Sequence, residues 1–352
     1  MTPGYSIADR LLYRVALGSR TLQKSLADIE SRLNAAQLRQ TPADRPVFIA
    51  SLPRAGTTLL LEALHRTGGF AAQTYRDMPF VLCPLLWRSV SRGFRRTAAL
   101  RERAHGDGVA IGYDSPEAFE EVLWKAFWPW KYAPDKILTW SSRDRDGEFE
   151  EAFAAHMRKV VAMAGRTGAG TPRYLSKNNA NIVRLPLLAE LYPDCTILIP
   201  FRNPADHAGS LGRQHTRFLK LHDGDRFAQS YMEWIGHYEF GRAFRPFAFP
   251  GEPVGETGTP NYWLDYWDRG FRHILGELPN QARLIDYDRL CDAPQTGLRA
   301  LAEILEVPAG QLCDQAHRFH AANRYDAIPT GPPAARARET YENLRRLAVD
   351  AG

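Results

Sequence analysis

Residues 47–60 read VFIASLPRAGTTLL, and this stretch predicts a strand, a tight loop and the start of a helix. The run from Val47 to Ser51 is short, β-branched and aromatic, as in a strand. Leucines then recur at helical spacing until Gly68 and Gly69 end the pattern. A loop that leads into a helix N-terminus presents backbone N–H groups to an anion. With Arg54 and two threonines beside it, the loop is expected to hold phosphate or a phosphate-like group.

This loop differs from the Walker A loop, in which a lysine follows the second glycine directly. Here Thr57 follows Gly56, and the cation, Arg54, stands two residues before the glycine. The difference argues against a simple ATPase or kinase. Taken alone, the segment also fits an ordinary strand-to-helix turn whose hydroxyl groups bind nothing.

A second segment, residues 196–211, reads TILIPFRNPADHAGSL. Its short apolar run is typical of a strand in a parallel sheet. Arg202 follows at the carboxyl end, where open α/β sheets bind ligands. We expect Asp206 to cap the next helix, with Ser210 inside that helix. Arg202 and Ser210 are then expected to converge on one anion.

The motifs P-R-A-G-T-T and R-N-P-A-D-H-A-G-S, in this order, resemble those of the sulfotransferases that use 3′-phosphoadenosine 5′-phosphosulfate (PAPS). The resemblance implies that the first loop holds the 5′-phosphosulfate of PAPS. It also implies that Arg202, followed eight residues later by Ser210, holds the 3′-phosphate. The implied donor-binding residues are therefore Arg54, Ala55, Gly56, Thr57, Thr58, Arg202 and Ser210.

Two further stretches extend the resemblance to about residues 46–307. Residues 174–186 resemble the family's K-x-P-x-N-x-x-R-L element, in which the lysine, here Lys177, reaches the donor site. Residues 284–290 resemble its late strand and Y-x-D-L element. The implied fold is an α/β, P-loop-like, three-layer fold with a central parallel sheet, helices on both faces and helical insertions. Strands that alternate with helices favour the same architecture.

The implied reaction is an in-line transfer in which negative charge builds on the leaving phosphate oxygen, so catalysis is mostly positioning and electrostatic stabilisation. The resemblance gives Arg54 the role of the cation near that oxygen and Lys177 that of a second charge. No metal is required. The spacing of His207, His215 and His222 also fits a metal site, although His207 lies inside the second motif.

A general base must take the proton of the acceptor hydroxyl. Small-molecule sulfotransferases carry a histidine two residues after the matching lysine, but here that residue is Asn179. The chain thus resembles the tyrosylprotein and glycan enzymes more than the small-molecule cytosolic type. Asp77 is then the expected base, with Glu62 as an alternative. Asp77 equally fits a structural role, as a helix cap or as a partner of Arg76.

Composition is consistent with this assignment. The 352-residue chain has 44% hydrophobic and 24% charged residues and a net charge of +5, which fits a protein that handles a polyanionic donor without requiring nucleic acid. No apolar run reaches the about 18 residues of a membrane span, and no signal-peptide pattern precedes the first helix. The four cysteines lack CxxC pairing, which favours free thiols and a cytoplasmic location.

The expected organisation is a helical segment over residues 1–40, a sulfotransferase domain over 41–327 and a charged tail over 328–352. Acceptor choice is expected to depend on residues 71–140 and 225–275. Two features there favour a carbohydrate or lipid-linked saccharide as acceptor, with a tyrosine side chain or a small alcohol as alternatives. One is an aromatic cluster that equally fits core packing: Trp124, Phe127, Trp128, Trp130, Tyr132 and Trp140. The other is a basic run that more often forms a solvated face: Arg92, Arg95, Arg96, Arg101 and Arg103.

Two other functions remain open at this point. An ATP-dependent small-molecule kinase would need magnesium ligands and a lysine after Gly56, and it leaves the pair Arg202 and Ser210 unexplained. A non-catalytic nucleotide-binding protein would need only the donor pocket.

Overall fold

The computed structural model describes residues 6–91, 101–102, 110–111, 114–165, 170–321 and 331–349. The strands are β1 Val47–Ile49, β2 Phe70–Ala71, β3 Arg101–Glu102, β4 Ala110–Ile111, β5 Arg173–Lys177, β6 Thr196–Phe201 and β7 Ala282–Asp286. The helices are α1 Ile7–Gly18, α2 Arg20–Leu33, α3 Ala35–Gln40, α4 Thr57–Arg66, α5 Pro84–Ser91, α6 Glu121–Phe127, α7 Gly147–Ala164, α8 Leu185–Leu191, α9 Pro204–Gly224, α10 Arg226–Ile235, α11 Pro260–Gly276, α12 Tyr287–Asp292, α13 Pro294–Leu305, α14 Ala309–Cys313 and α15 Pro332–Leu347.

Five strands form a parallel sheet in the order β2-β5-β1-β6-β7. Its middle strand, β1, leads into the loop before α4, and β5 and β6 flank it. Lys177 ends β5 and Arg202 follows β6, so both lie at the edge of the sheet where β1 ends. The order of the strands thus brings three distant sequence motifs to one edge.

Successive residues of β1 point to opposite faces of the sheet, and both faces are covered by helices. Phe48 packs into a large core with aromatic residues of α6, α7, α9 and α11. Val47 and Ile49 pack into a second core with leucines of α4 and α13. The prediction of an α/β fold with a central parallel sheet and helices on both faces is confirmed.

The start of α9 differs from the prediction. The helix begins at Pro204, and the side chain of Asn203 accepts hydrogen bonds from the N–H groups of Ala205 and Asp206. Asn203 is therefore the cap and Asp206 lies in the first turn. Proline fits the first helical position because it has no N–H to satisfy.

Residues at both ends of the chain belong to the main core. Helices α1, α2 and α3 fall within the predicted helical segment, and Glu30 of α2 forms a buried ion pair with Lys159 of α7, at 3.2 Å. Helix α15 packs along α11, where the Thr340 hydroxyl donates to Asp268 Oδ1 at 2.6 Å. The segment expected to be a charged tail thus carries a helix that closes one side of the sheet.

The aromatic cluster is mostly core. Trp124 and Trp140 are 0% and 3% exposed, and the Arg184 guanidinium lies 4.1 Å and 4.6 Å from their ring centroids. Trp130 is an exception at 59% exposed. Stacking of a sugar on this cluster is therefore not supported, apart from Trp130. The basic run Arg92, Arg95, Arg96, Arg101 and Arg103 lies outside the residues whose side chains are described. In the described ranges, no helix is long and apolar enough to cross a membrane.

Candidate active site

The loop after β1, called here the anion loop (residues 52–56), ends in a glycine that no other residue can replace without cost. Gly56 has φ +86°, and a Cβ on it would lie 2.1 Å from the Tyr287 ring. Arg54 also has a positive φ, +73°. The chain therefore turns sharply before α4, whose first residue, Thr57, is buried.

The second motif holds the anion loop by its backbone. Arg202 Nη1 donates to the carbonyl of Arg54 at 3.1 Å, and Arg54 Nε donates to Ser210 Oγ at 3.3 Å. Arg202 is only 6% exposed, and its Nε has no hydrogen-bond partner among the described residues. That atom lies 3.6 Å from Asp288 Oδ1. The Arg202 guanidinium is therefore held between Asp288 and the anion loop, and its buried charge fits a site that accepts an anion.

His207 of α9 fixes the neighbouring carbonyl of the loop. Its Nε2 lies 2.8 Å from Pro53 O, and the indole of Trp267 donates to its Nδ1 at 3.0 Å. Because Nδ1 accepts, Nε2 carries the hydrogen and donates. Burial, together with the charges of Arg202 and Arg54, lowers the pKa of His207 to about 3. His207 is thus a neutral support of the anion loop and not a metal ligand.

A cleft of about 390 Å³, including its open mouth, lies beside the anion loop. Its lining residues are Pro53, Arg54, Thr57, Thr58, Glu117, Lys177, Asn179, His237, Glu239 and Phe240. The predicted residues Arg54, Thr57, Thr58 and Lys177 are therefore brought together. Arg202 and Ser210 join them through their hydrogen bonds with Arg54.

The turn after Lys177 is held in place by a buried polar network. Asn178 Nδ2 donates to Glu121 Oε2 at 2.7 Å, and Arg184 Nη2 donates to the same oxygen at 2.5 Å. Glu121 also accepts from the Tyr132 hydroxyl. Several hydrogen bonds that converge on one buried carboxylate restrict the geometry of the groups that donate them. Helix α6 thereby fixes the position from which Lys177 and Asn179 enter the cleft.

Asp77 does not line the cleft. Its side chain is fully buried, its Oδ2 accepts from the Thr74 N–H at 2.8 Å, and its Oδ1 lies 3.2 Å from Arg88 Nε. Burial raises the pKa of Asp77, although the charge of Arg88 opposes the rise. The position of Asp77 does not support its expected role as the base, since it caps a short helix and pairs with Arg88. The alternative, Glu62, forms a partly buried ion pair with Arg318.

Three titratable side chains in the cleft were missed by sequence reasoning: Glu117, His237 and Glu239, called here the glutamate wall. The Tyr75 hydroxyl donates to Glu117 Oε2 at 2.6 Å, and Asn179 Nδ2 donates to Glu239 Oε1 at 2.9 Å. No motif or spacing marks these residues. One local signal exists, because residues 237 and 239 alternate with the buried Tyr238 as on one face of an extended segment.

The other two histidines of α9 support the segment that carries this wall. The Gly241 N–H donates to His215 Nδ1 at 3.3 Å, and the Arg242 N–H donates to His222 Nδ1 at 3.2 Å. Burial is the main cause that lowers the pKa of both rings. Among the residues that the structure describes, no cluster of three or more potential metal ligands is found.

Comparison with known proteins agrees with this geometry. A sequence profile described as the sulfotransferase family matches residues 46–252, which is more than half of the chain. The chain belongs to the sulfotransferase family. The matched range contains the anion loop, Lys177, Arg202, Ser210 and the whole glutamate wall.

Solved structures of sulfotransferases share the fold. One from Mycobacterium avium has a TM-score of 0.52 at 15% identity, over 99% of this chain and 86% of that one. One from Mycobacterium tuberculosis H37Rv has a TM-score of 0.51 at 13% identity, over 94% and 85%. At these identities, the likeness concerns the fold of this sulfotransferase alone.

This sulfotransferase is also similar to an uncharacterized protein of Aquifex aeolicus (strain VF5). The two are 23% identical over 291 residues, which cover 82% of this chain. The chain spans only 28% of the length of that relative.

Proposed function

We propose that this sulfotransferase moves the sulfonate group of PAPS to a hydroxyl group of an acceptor. The observation that carries the proposal is the contact between two motifs 148 residues apart, in which Arg202 holds the Arg54 carbonyl and Arg54 reaches Ser210. A loop that leads into a helix N-terminus, with an arginine and a serine beside it, fits the binding of phosphate-type groups.

In this proposal, the backbone of the anion loop with Thr57 and Thr58 binds the 5′-phosphosulfate. Arg202 and Ser210 bind the 3′-phosphate, for which Arg202 supplies a buried positive charge. Bound PAPS supplies an activated sulfonate. Arg54 and Lys177 offset the negative charge on the leaving phosphate oxygen, without a metal ion.

The charges of the glutamate wall affect which acceptor can bind in the cleft. Glu117 and Glu239 line the cleft and would repel a second anion next to the polyanionic donor. We therefore propose a neutral or amine-bearing acceptor alcohol, such as a neutral sugar or an amino sugar. A uronic acid or a sulfated glycan is disfavoured.

The test is calorimetric titration with the desulfonated product, 3′-phosphoadenosine 5′-phosphate (PAP), compared with 5′-AMP and with ATP plus magnesium. We expect micromolar binding of PAP and at least tenfold weaker binding of AMP, because AMP lacks the 3′-phosphate. In Ser210→Ala and Arg202→Ala, the difference between PAP and AMP should shrink.

The matched control is Arg283→Ala. Arg283 is an exposed arginine of β7 whose Nη1 donates to the carbonyls of Asn280 and Ala282, far along the strand from the cleft edge. This variant should bind PAP as the wild type does. Binding of ATP with magnesium, without binding of PAP, would instead establish the kinase alternative.

A further inference from the structure

We propose that His237 is the general base of the transfer, with its Nδ1 taking the proton of the acceptor hydroxyl. This inference rests on the proposed function. A general base still has to be identified, because Asp77 is buried and does not line the cleft. Among the described residues that line the cleft, the side chains able to accept a proton are Glu117, His237 and Glu239.

The hydrogen bonding of His237 sets its tautomer. Its Nε2 lies 2.8 Å from the carbonyl oxygen of Ala118. A carbonyl only accepts, so Nε2 carries the hydrogen and Nδ1 carries the lone pair. Nδ1 has no hydrogen-bond partner within the described part of the chain, and it is not among the atoms sealed from solvent. His237 therefore lines the cleft and has a basic nitrogen that solvent can reach.

The other described histidines do not line the cleft. Both ring nitrogens of His207 are hydrogen-bonded, to Trp267 and to Pro53, and His215 and His222 accept from backbone N–H groups. His156 is buried without a hydrogen-bond partner for either nitrogen. Of the histidines that the structure describes, His237 alone lines the cleft.

The two carboxylates are less suited to the task. Glu117 accepts from the Tyr75 hydroxyl through Oε2 and from the Ala118 N–H through Oε1. Each of its oxygens thus already accepts a hydrogen bond, and hydrogen bonds to a carboxylate make it a weaker base. Glu239 binds Asn179 through Oε1.

The segment that carries His237 is fixed against α6. Lys125 donates to the carbonyls of Glu233 and Trp234 at the end of α10. A Cβ on Gly236 would lie 2.5 Å from Glu121 Cγ, so the backbone before His237 touches α6 directly. A base held by packed backbone on one side and by the Ala118 carbonyl on the other needs little reorganisation before it acts.

The transfer breaks two bonds and forms two. The O–H bond of the acceptor breaks and its proton passes to His237 Nδ1, while the acceptor oxygen bonds to sulfur. The bond between sulfur and the bridging oxygen breaks, and its electron pair stays on the 5′-phosphate beside Arg54 and Lys177. His237 then returns the proton to solvent.

The decisive variant is His237→Gln, whose amide can still donate to Ala118 O but offers no basic nitrogen. We expect PAP affinity within twofold of wild type and release of PAP from PAPS slowed at least 100-fold, as for a lost general base. The probe acceptors are glycerol, methyl glucoside, methyl glucosaminide and water. Glu239→Gln should be slowed less than tenfold, and His273→Gln, a half-buried histidine of α11 outside the cleft, should match the wild type.

The outcomes separate this inference from the function on which it rests. If the wild type fails to bind PAP, both fall. If it binds PAP and turns over, but His237→Gln keeps a rate within threefold, only the role of His237 falls. A loss in Glu239→Gln that exceeds the loss in His237→Gln would assign the base to Glu239.

A measurement on the wild type decides the case in which no probe acceptor reacts or the variant fails to fold. In ¹⁵N spectra of histidine-labelled protein, neutral His237 should carry its hydrogen on Nε2, with and without bound PAP, because Nε2 donates to the Ala118 carbonyl. A hydrogen on Nδ1 would overturn the proposal.

Discussion

The anion loop and the glutamate wall line one cleft but are held in different ways. The loop is fixed through its own carbonyls, with His207 on Pro53 O and Arg202 on Arg54 O. The residues of the wall are fixed through their side chains and through packing of the chain behind them, as for His237 against Ala118 and Gly236 against α6. Binding of an anion by backbone N–H groups requires a rigid backbone. Contact between side chains and an acceptor requires only that those side chains be held in place.

The largest effect is expected at Arg54. In Arg54→Ala, the cation beside the leaving oxygen is lost, and we expect sulfonate transfer to fall by about 10³-fold or more. The thermal midpoint should stay close to that of the wild type, because the Arg54 side chain is only partly buried and its carbonyl still binds Arg202. The measurement is release of PAP from PAPS together with a thermal melt.

Arg54→Lys is the control, since it keeps a positive charge and should recover part of the rate. Near-normal transfer by Arg54→Ala would refute the catalytic role of Arg54 and leave the loop as a binding element only.

The next effect concerns the backbone of the loop. Gly56→Ala places a Cβ into the Tyr287 ring at a residue with φ +86°, and we expect PAP affinity to fall by about 100-fold as the loop shifts. Gly68→Ala is the matched control at the other end of α4. Its φ is +71°, but a Cβ there meets nothing within 4 Å.

Gly68→Ala should cost about 1 kcal/mol of stability from its backbone conformation and leave PAP affinity unchanged. Equal losses of PAP affinity in the two variants would show that positive φ, and not contact with Tyr287, makes Gly56 necessary.

Acid should destabilise both the anion loop and the glutamate wall, because buried histidines hold both. The folded-state pKa of His207, His215 and His222 lies below the unfolded value of about 6.5, so the unfolded state binds more protons as pH falls. Each group costs up to about 1.4 kcal/mol of stability per pH unit below that value until its folded pKa is reached. His207, with a pKa of about 3, stays neutral in the folded protein at pH 5, so its protonation at that pH requires the loop to open.

Hydrogen exchange measures this loss. On going from pH 7.5 to pH 5, after correction for intrinsic rates, the amides of Gly241 and Arg242 and the amides of residues 55–58 should all lose protection. Unchanged protection at Gly241 and Arg242 would mean that His215 and His222 do not hold the wall.

The smallest effect on turnover is expected at Asp77. Asp77→Asn weakens a buried helix cap and an ion pair with Arg88, so we expect a loss of about 1–3 kcal/mol in the free energy of unfolding. Turnover of the folded protein should stay within about threefold of wild type. A denaturant titration beside the PAPS assay checks both quantities, and a large loss of turnover with intact stability would restore Asp77 as the base.

The sequence allowed the donor half of the site to be predicted because its chemistry lies in short runs. Val47 to Thr58 encodes a strand, a turn and a helix start, and Arg202 to Ser210 does the same at the neighbouring strand. The parallel order of the sheet then brings the two runs to one edge without further information.

The rest of the site could not be predicted in this way. Glu117 and His237 come from irregular segments, and their approach depends on how α6 and α10 pack, which no spacing records. The role of Asp77 cannot be decided from sequence, because a buried carboxylate that caps a helix and one that serves as a base look alike there. The same holds for Trp124 and Trp140, since aromatic residues that pack around Arg184 also fit the composition of a sugar site.

Helix α9 serves both sides of the cleft. Its first turns carry His207 and Ser210, and its later turns carry His215 and His222, over 21 residues and about 30 Å. One residue inserted between Ser210 and His215 would rotate the later turns by about 100° relative to the first. The sequences of the two sides can therefore diverge independently among related proteins, while the number of residues between them is fixed.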